Sequence, residues 1–541
     1  MVAPERGTRR GHCLVWLLGA GLLGAGLRAC PAQAAVHAAG TRGYEQIYRP
    51  QVHFTPGRNW MNDPNGLVYF DGRYNLFFQY NPYGTRWGHM SWGHAVSRDL
   101  LHWRQLPVAI PEGRHSMIFS GSAVVDWHDT SGFGVGGRPP LVAIYTANPR
   151  GGPGLQTQNL AYSTDGGMHW TKYAGNPVLN IGLRNFRDPK VFWYAPRHEW
   201  VMVVSRAAQR RVSFYVSPNL KTWTHTGEFG PAGDASGVWE CPDLFALPVE
   251  NRPGEVRWVL KVDAQQHRPG TGGGGQVFIG RFNGRTFKAS SPRAQPLDLG
   301  EDYYASTSWS DLPVGQPRVI MLGWMDNWLY AQNAPTSPWR GAMAFPRRLA
   351  LRLQDGTYHL MQRPIAELEQ LRGASRRLAA FVAPHGRTLL SVPARGAAHE
   401  IRALIRVGRR GRFIFTIGSG DGRVVRVGYD AAREQFSVVR AGHYRFSHLF
   451  DSRNVAALSS SNGTIELNLI IDRSSVEAFV DHGELTAAEQ MFPRGGAYTV
   501  TVRSSGSRVE WMRIWDLHSI WRRRGVREDP ESRARSARPG A

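Results

Sequence analysis

One short turn pattern returns along the first half of the chain, and it limits the fold more than any other feature. Ser97-Arg98-Asp99-Leu100-Leu101-His102-Trp103 recurs as Ser163-Thr164-Asp165-Gly166-Gly167-Met168-His169-Trp170 and again as Ser217-Pro218-Asn219-Leu220-Lys221-Thr222-Trp223. Each copy reads as a strand end, a tight turn and an aromatic that opens the next strand. Phe282-Asn283-Gly284-Arg285-Thr286-Phe287 is a degenerate fourth copy. The interval between copies suits one four-stranded blade with long loops. A second series is offset from the first. Asp63-Pro64 precedes Leu67-Val68-Tyr69-Phe70, Asp188-Pro189 precedes Val191-Phe192-Trp193-Tyr194, and Glu240-Cys241-Pro242-Asp243 precedes Leu244-Phe245-Ala246-Leu247. Phe119 to Val125 and Asp302 to Ser306 fill the same role without the acid-Pro pair, giving five first strands. In a propeller the first strand of each blade lines the central channel, and all of them start at one end. The repeat therefore predicts an all-β, five-bladed β-propeller in which Asp63, Asp188 and Glu240 converge.

The remainder of the chain divides around this array. Residues 1–34 read as a signal peptide: Arg6, Arg9 and Arg10 precede an apolar run, and Ala32-Gln33-Ala34 offers a cleavage site. The run is short for a membrane span. A secreted protein follows, with a periplasmic or Cys30-lipidated form as the alternative. The propeller is expected over 41–363 and a linker helix over 364–375, where Pro364 opens and Gly373 closes an apolar pattern. A β-sandwich domain is expected over 376–517, from alternating strands such as Arg412-Phe413-Ile414-Phe415-Thr416-Ile417. A disordered basic tail is expected over 518–541. Cys241 is the sole cysteine left after leader removal, so no intramolecular disulfide forms. Its place beside Glu240, with no histidine near it in sequence, reads as a small buried packing residue. The net charge of +23 is carried almost wholly by arginine, with lysine only at 172, 190, 221, 261 and 288. No nucleic-acid motif accompanies it, so the charge reads as solvated surface and no nucleic-acid partner is expected.

Asn62-Asp63-Pro64-Asn65-Gly66 taken alone is a turn former, with Asp63 on a loop where a strand begins. Three converging acids suit glycosidic cleavage. One protonates the leaving oxygen, one faces the anomeric carbon, and one stabilises the oxocarbenium-like transition state. They would also suit Ca²⁺, but each acid stands alone in its own segment without a cluster of oxygen ligands. Aromatics surround them instead, including Trp60, Trp87, Phe119, Tyr303, Trp324 and Trp328.

Trp60 to Gly66, Phe186-Arg187-Asp188-Pro189 and Trp239-Glu240-Cys241-Pro242-Asp243-Leu244-Phe245 resemble the three acidic motifs of glycoside hydrolase family 32, which includes invertases, inulinases and levanases. The sandwich segment Asp472-Arg473-Ser474-Ser475-Val476-Glu477-Ala478-Phe479 belongs to the same resemblance. The resemblance implies Asp63 as nucleophile, Asp188 as transition-state stabiliser and Glu240 as general acid/base. It implies Trp60, Asn62, Gln79, Trp87, Phe119, Ser120, Arg187, Asp302 and Trp324 around the terminal fructose. Arg187 is expected to keep Asp188 ionised, and the Asp63 and Asp188 charges to raise Glu240. The family is retaining and implies no metal or organic cofactor. His89 to His94, Ser120 to Trp127 and Gly237 to Glu240 look most like levanases and exo-inulinases. The expected substrate is therefore a fructan, with sucrose and invertase action as the nearest rival. A non-catalytic fructan-binding propeller is the rival from another class, and it predicts loss of a carboxylate.

Overall fold

The repeated turn builds the same corner in four successive blades of the computed structural model, which describes residues 41–152, 154–266, 268–313, 318–460 and 462–521. The leader (1–34) and the tail beyond Trp521 lie outside the described residues. Blade one comprises Asn59–Phe70, Arg73–Asn81, Ser91–Ser97 and Arg104–Ile110, and blade two comprises Ser116–Val125, Leu141–Pro149, Thr157–Ser163 and Thr171–Lys172. Blade three follows as Phe186–Tyr194, Glu199–Arg206, Arg211–Ser217 and Thr224–Phe229. Blade four runs Trp239–Pro248, Val256–Ala264, Gly275–Phe282 and Phe287–Ala289, and blade five Tyr304–Ser308, Val319–Trp324, Arg347–Gln354 and Thr357–Pro364.

Each copy of the turn joins the third strand of its blade to the fourth. Asp99 Oδ1 accepts the backbone N–H groups of Leu101 and His102, Asp165 Oδ1 those of Met168 and His169, and Asn219 Oδ1 those of Lys221 and Thr222. Asn283 Oδ1 does the same for Arg285 and Thr286. The side-chain acceptor satisfies the amides that a tight turn leaves without a strand partner. The indoles of Trp103, Trp170 and Trp223 then close on the carbonyls of Leu100, Gly167 and Leu220.

All five first strands lie where the repeat placed them. Each packs on the next around the channel, and blade five meets blade one. Trp339–Arg340 closes the ring by pairing in parallel with Asn59 and Trp60. Asp71 and Gly72 form the hairpin turn between the first two strands, both with positive φ as a two-residue turn of this kind requires.

The second domain is built on two long strands, Ala398–Gly418 and Tyr498–Leu517, which pair along most of their length. Their inward positions (Ile401, Ile405, Phe413, Phe415, Val500, Val502) are buried in one apolar core, while outward positions such as Arg406 and Arg508 are exposed. Two expectations change here. The linker helix expected over 364–375 is shorter: Ala366–Leu371 is a 3-10 helix, and Arg372–Leu378 is already a strand paired with the last strand of the domain. The apolar spacing of three that suggested a helix is the 3-10 period, and it buries Leu368 and Leu371. Nor does the tail begin at 518. Ile520 donates its N–H to Gln51, and Trp521 stacks on Tyr44 with ring centroids 3.9 Å apart.

The two domains share a buried ionic interface. From the propeller, His53 bridges Asp472 (2.8 Å) and Glu477 (2.9 Å), and Arg347 bonds Glu477 at 3.0 Å. From the sandwich, Arg440, paired with Glu489 of its own domain, reaches across to Asp302 and the Tyr330 hydroxyl. The partners that meet across the interface are 110 to 424 residues apart in sequence and essentially without solvent contact. They explain why Asp472 and Glu477 stand out in the sequence.

Candidate active site

Every first strand carries a β-bulge at the same end of the channel. The register slips between Met61 and Pro64, Ile118 and Gly121, Arg187 and Lys190, Glu240 and Asp243, and Tyr304 and Thr307. A bulge bends its strand and re-aims the side chains around it. Asp188, Cys241 and Ala305 each adopt positive φ (67°, 48° and 52°) within their bulges, an uncommon and strained conformation for residues with a Cβ. Asp63 is therefore not on a loop: it lies inside the strand Asn59–Phe70, within its bulge and directly before Pro64. The bulge register also equates Cys241 with Asp188 and Glu240 with Arg187, one position away from a match of acid to acid.

The bulges bring the three acids together. Asp63 is gripped at both oxygens: Oδ1 accepts the Asn62 amide at 2.8 Å, and Oδ2 accepts the Ser120 hydroxyl at 2.6 Å. Asn62 in turn accepts the Trp60 indole N–H at 2.7 Å. Asp188 accepts the backbone N–H of Cys241 at 3.0 Å, and its own N–H donates to Thr146 Oγ1. Cys241 is more than packing, since its sulfur lies 3.8 Å from Asp63 Oδ2 and 3.7 Å from Asp188 Oδ2. Glu240 accepts the Arg187 Nε–H at 2.9 Å on one oxygen and the Tyr304 hydroxyl on the other.

Burial raises Asp63 above the usual carboxylate range, against the hydrogen bonds from Ser120 and Asn62. Burial also drives Asp188 up to about 7; Arg187 pulls it down, and the charges of Glu240 and Asp63 add to the rise. Arg187 thus acts on Asp188 in the expected direction, but burial outweighs it. Arg187 lies 4.0 Å from Asp188 and gives its Nε–H to Glu240 instead. Burial and the two neighbouring carboxylates push the Cys241 thiol well above its ordinary value, the opposite of an activated nucleophile.

Of the other expected residues, Trp60, Phe119 and Trp324 pack in one apolar cluster with Cys241, Tyr304 and Trp328. Trp60 stacks on Trp328, and Trp324 lies with its ring centroid 4.9 Å from Trp328. Trp87, 37% exposed, stands at the rim with its ring edge on Phe119. Gln79 is buried one strand back and holds Asn65 through its amide at 2.7 Å. Asp302 is not at this site. Its carboxylate accepts the Tyr330 hydroxyl (2.6 Å), the Gln490 N–H (2.7 Å) and Arg440 at the domain interface. Tyr303 likewise turns away, with Arg347 3.7 Å above its ring. The residue that serves the site from this strand is Tyr304. Strand alternation separates it from Tyr303, but the bulge that decides which of them faces the channel leaves no mark in the sequence.

Comparison with known proteins agrees with this geometry. The profile of the glycosyl hydrolases family 32 N-terminal domain matches residues 53–364, and that of the family's C-terminal domain matches residues 367–516. A levanase of Bacillus subtilis is 44% identical over 496 residues, covering 90% of this chain and 72% of its own length. An extracellular exo-inulinase of Aspergillus ficuum is 39% identical over 525 residues, covering 88% of this chain and 95% of its own. The crystal structure of an exo-inulinase from Aspergillus awamori superposes with a TM-score of 0.81 at 37% identity, over 88% of this chain and 100% of that one. Five blades with a sandwich behind them, and three carboxylates at the bulged end of the channel, thus join two matched family profiles: the chain belongs to glycosyl hydrolase family 32 and is a glycoside hydrolase.

Proposed function

We propose that the protein is an extracellular, retaining fructanase that releases fructose from the non-reducing ends of levan or inulin, and that accepts sucrose as a lesser substrate. Residues 1–34 are removed on export, and no helix among the described residues is long and apolar enough to cross a membrane. Asp63 attacks the anomeric carbon, held in one orientation by Asn62 and Ser120. Glu240 protonates the leaving oxygen and then activates water, while Asp188 faces the developing positive charge. The observation that carries this reading is the contrast between the carboxylates. Asp63 and Asp188 are both within reach of the Cys241 sulfur, whereas Glu240 stands apart between Arg187 and Tyr304. Retaining hydrolysis requires one carboxylate as nucleophile and a second as acid/base, the roles proposed for Asp63 and Glu240, and leaves Asp188 to stabilise the transition state.

Trp60, Phe119 and Trp324 supply the apolar wall, and Trp87 at the rim offers a face to the leaving group. All three carboxylates are present, which separates this chain from a lectin-like propeller. Chromatography of products from levan, inulin and sucrose tests the substrate assignment: fructose alone from both polymers supports it, and a ladder of oligosaccharides overturns it. Turnover on sucrose far above that on either fructan makes the protein an invertase. Asp63→Ala is expected to abolish hydrolysis and Glu240→Gln to lower it by roughly 10²–10⁴-fold; an active Asp63→Ala enzyme removes the nucleophile assignment.

A further inference from the structure

Two buried lysines lie just beneath the carboxylates, in a chain that otherwise uses arginine for nearly all its basic charge. Lys190, from the first strand of blade three, donates to Ser308 O at 2.5 Å and lies 3.8 Å from Asp243. Lys261, from the second strand of blade four, has no solvent exposure and spends its three protons on three separate acceptors. These are Asp263 on its own strand, the carbonyl of Cys241 (3.2 Å) and the carbonyl of Ser306 (2.7 Å). The two carbonyls are telling. Cys241 is the positive-φ residue directly after Glu240, and Ser306 follows the positive-φ Ala305 directly after Tyr304. One ammonium thus ties together the two strained bulges that present Glu240 and its phenolic partner. A planar guanidinium does not place three donors on three acceptors around one point, which is a physical reason for lysine here. A pair with Asp263 buried this deeply carries a desolvation cost, and Asp263 Oδ1 has no partner among the described residues. Core stability alone does not account for such an arrangement.

We infer that Lys261 is a positioning residue for the general acid/base: by clamping the Cys241 and Ser306 carbonyls it fixes the Glu240–Tyr304 hydrogen bond in the geometry that delivers a proton to the leaving oxygen. The inference rests on the assignment of Glu240 made above, so its test includes a control for that assignment. kcat/KM reports glycosidic cleavage, and it is measured on a fructan and on an aryl β-D-fructofuranoside whose phenolate departs without protonation. Glu240→Gln is the control: it should lose at least roughly 10²-fold on the fructan and far less on the aryl substrate. If Glu240→Gln is equally impaired on both, the acid/base assignment falls, whatever Lys261 does.

Lys261→Met is expected to show the same leaving-group dependence, with a loss of about 10²-fold on the fructan and less than about tenfold on the aryl fructoside. Equal loss on the two substrates, as a general loosening of the propeller would give, overturns the inference, and so does unchanged activity on both. Should Lys261→Met not fold, Asp263→Ala carries the same comparison. It frees the ammonium from one of its three anchors and should impair the fructan reaction more than the aryl one; parity between them refutes the clamp.

Discussion

His53 is expected to make the stability of this protein depend on alkaline pH, through the joint between its two domains. The imidazole is fully buried, and each ring nitrogen faces a carboxylate: Nδ1 meets Asp472 at 2.8 Å and Nε2 meets Glu477 at 2.9 Å. Glu477 also accepts Arg347 and the N–H of Phe345, whose ring stands edge-on to His53. A neutral imidazole carries one N–H and would set a nitrogen lone pair against a carboxylate, so the protonated ring is the species that fits. Burial by itself depresses the histidine pKa, but the hydrogen bonds and charges of Asp472 and Glu477 outweigh it and raise the group from 6.5 to about 9. Because the folded value lies above the unfolded one, the stabilisation is fully present below pH 6.5 and is lost as pH rises through about 9. At about 1.4 kcal/mol per pH unit this amounts to roughly 3 kcal/mol. Solvent screening does not reduce it, since no atom of the pair is exposed. Denaturant unfolding of the wild type and of His53→Gln, followed from pH 6 to pH 10, measures it; the difference between the two proteins cancels other groups that titrate in this range. The difference should be largest near pH 6 and shrink by roughly 3 kcal/mol by pH 10. A difference that stays constant across the range would falsify the protonated bridge.

Three further outcomes follow from the same geometry. Ser120→Ala removes the 2.6 Å hydrogen bond that stabilises ionised Asp63; the acidic limb of the kcat/KM profile should move to higher pH, with a loss of roughly tenfold at the optimum, and an unmoved limb would show that Asp63 does not set it. Arg440→Met leaves Asp302 and Glu489 buried without their cation and should cost about 3–5 kcal/mol in calorimetric or denaturant unfolding; a change under about 1 kcal/mol would mean that those acids are protonated in the fold. The Cys241 thiol, buried and held above its ordinary pKa, should resist iodoacetamide at pH 8 in the native protein and react once it is unfolded. Rapid native alkylation, read by mass spectrometry, contradicts that environment.

The match between sequence and structure differs from one part of the site to another. The five first strands are legible because each is an apolar run opened by an acid, a proline or a small residue. The fourth-strand turns are legible because Asp99, Asp165, Asn219 and Asn283 all perform one local task, bonding backbone amides two to four residues ahead. Asp63, Asp188 and Glu240 could be placed at one end of the channel because radial repetition converts equivalent positions into neighbours. The partnerships among them were not legible. Arg187 follows Phe186 and precedes Asp188 in sequence, yet it bonds Glu240 from the next blade. Asp302 and Tyr303 looked like site residues, and Tyr304 is the one that reaches the site.

The sequence by itself determined the architecture and the order of the three acids, because those rest on local patterning and on repetition, and the resemblance of its acidic motifs to glycoside hydrolase family 32 implied the class of chemistry. The tertiary structure alone decided which side chains face the channel and which face the second domain. Side chains alternate along a strand, and one bulge residue reverses the alternation with no compositional signature. It likewise decided that Asp472 and Glu477 clasp His53 and Arg347, and that Lys261 ties the Glu240 bulge to the Tyr304 bulge. Those contacts join segments that meet only when the blades close into a ring and the sandwich docks behind them. Their strength comes from the burial that this closure creates.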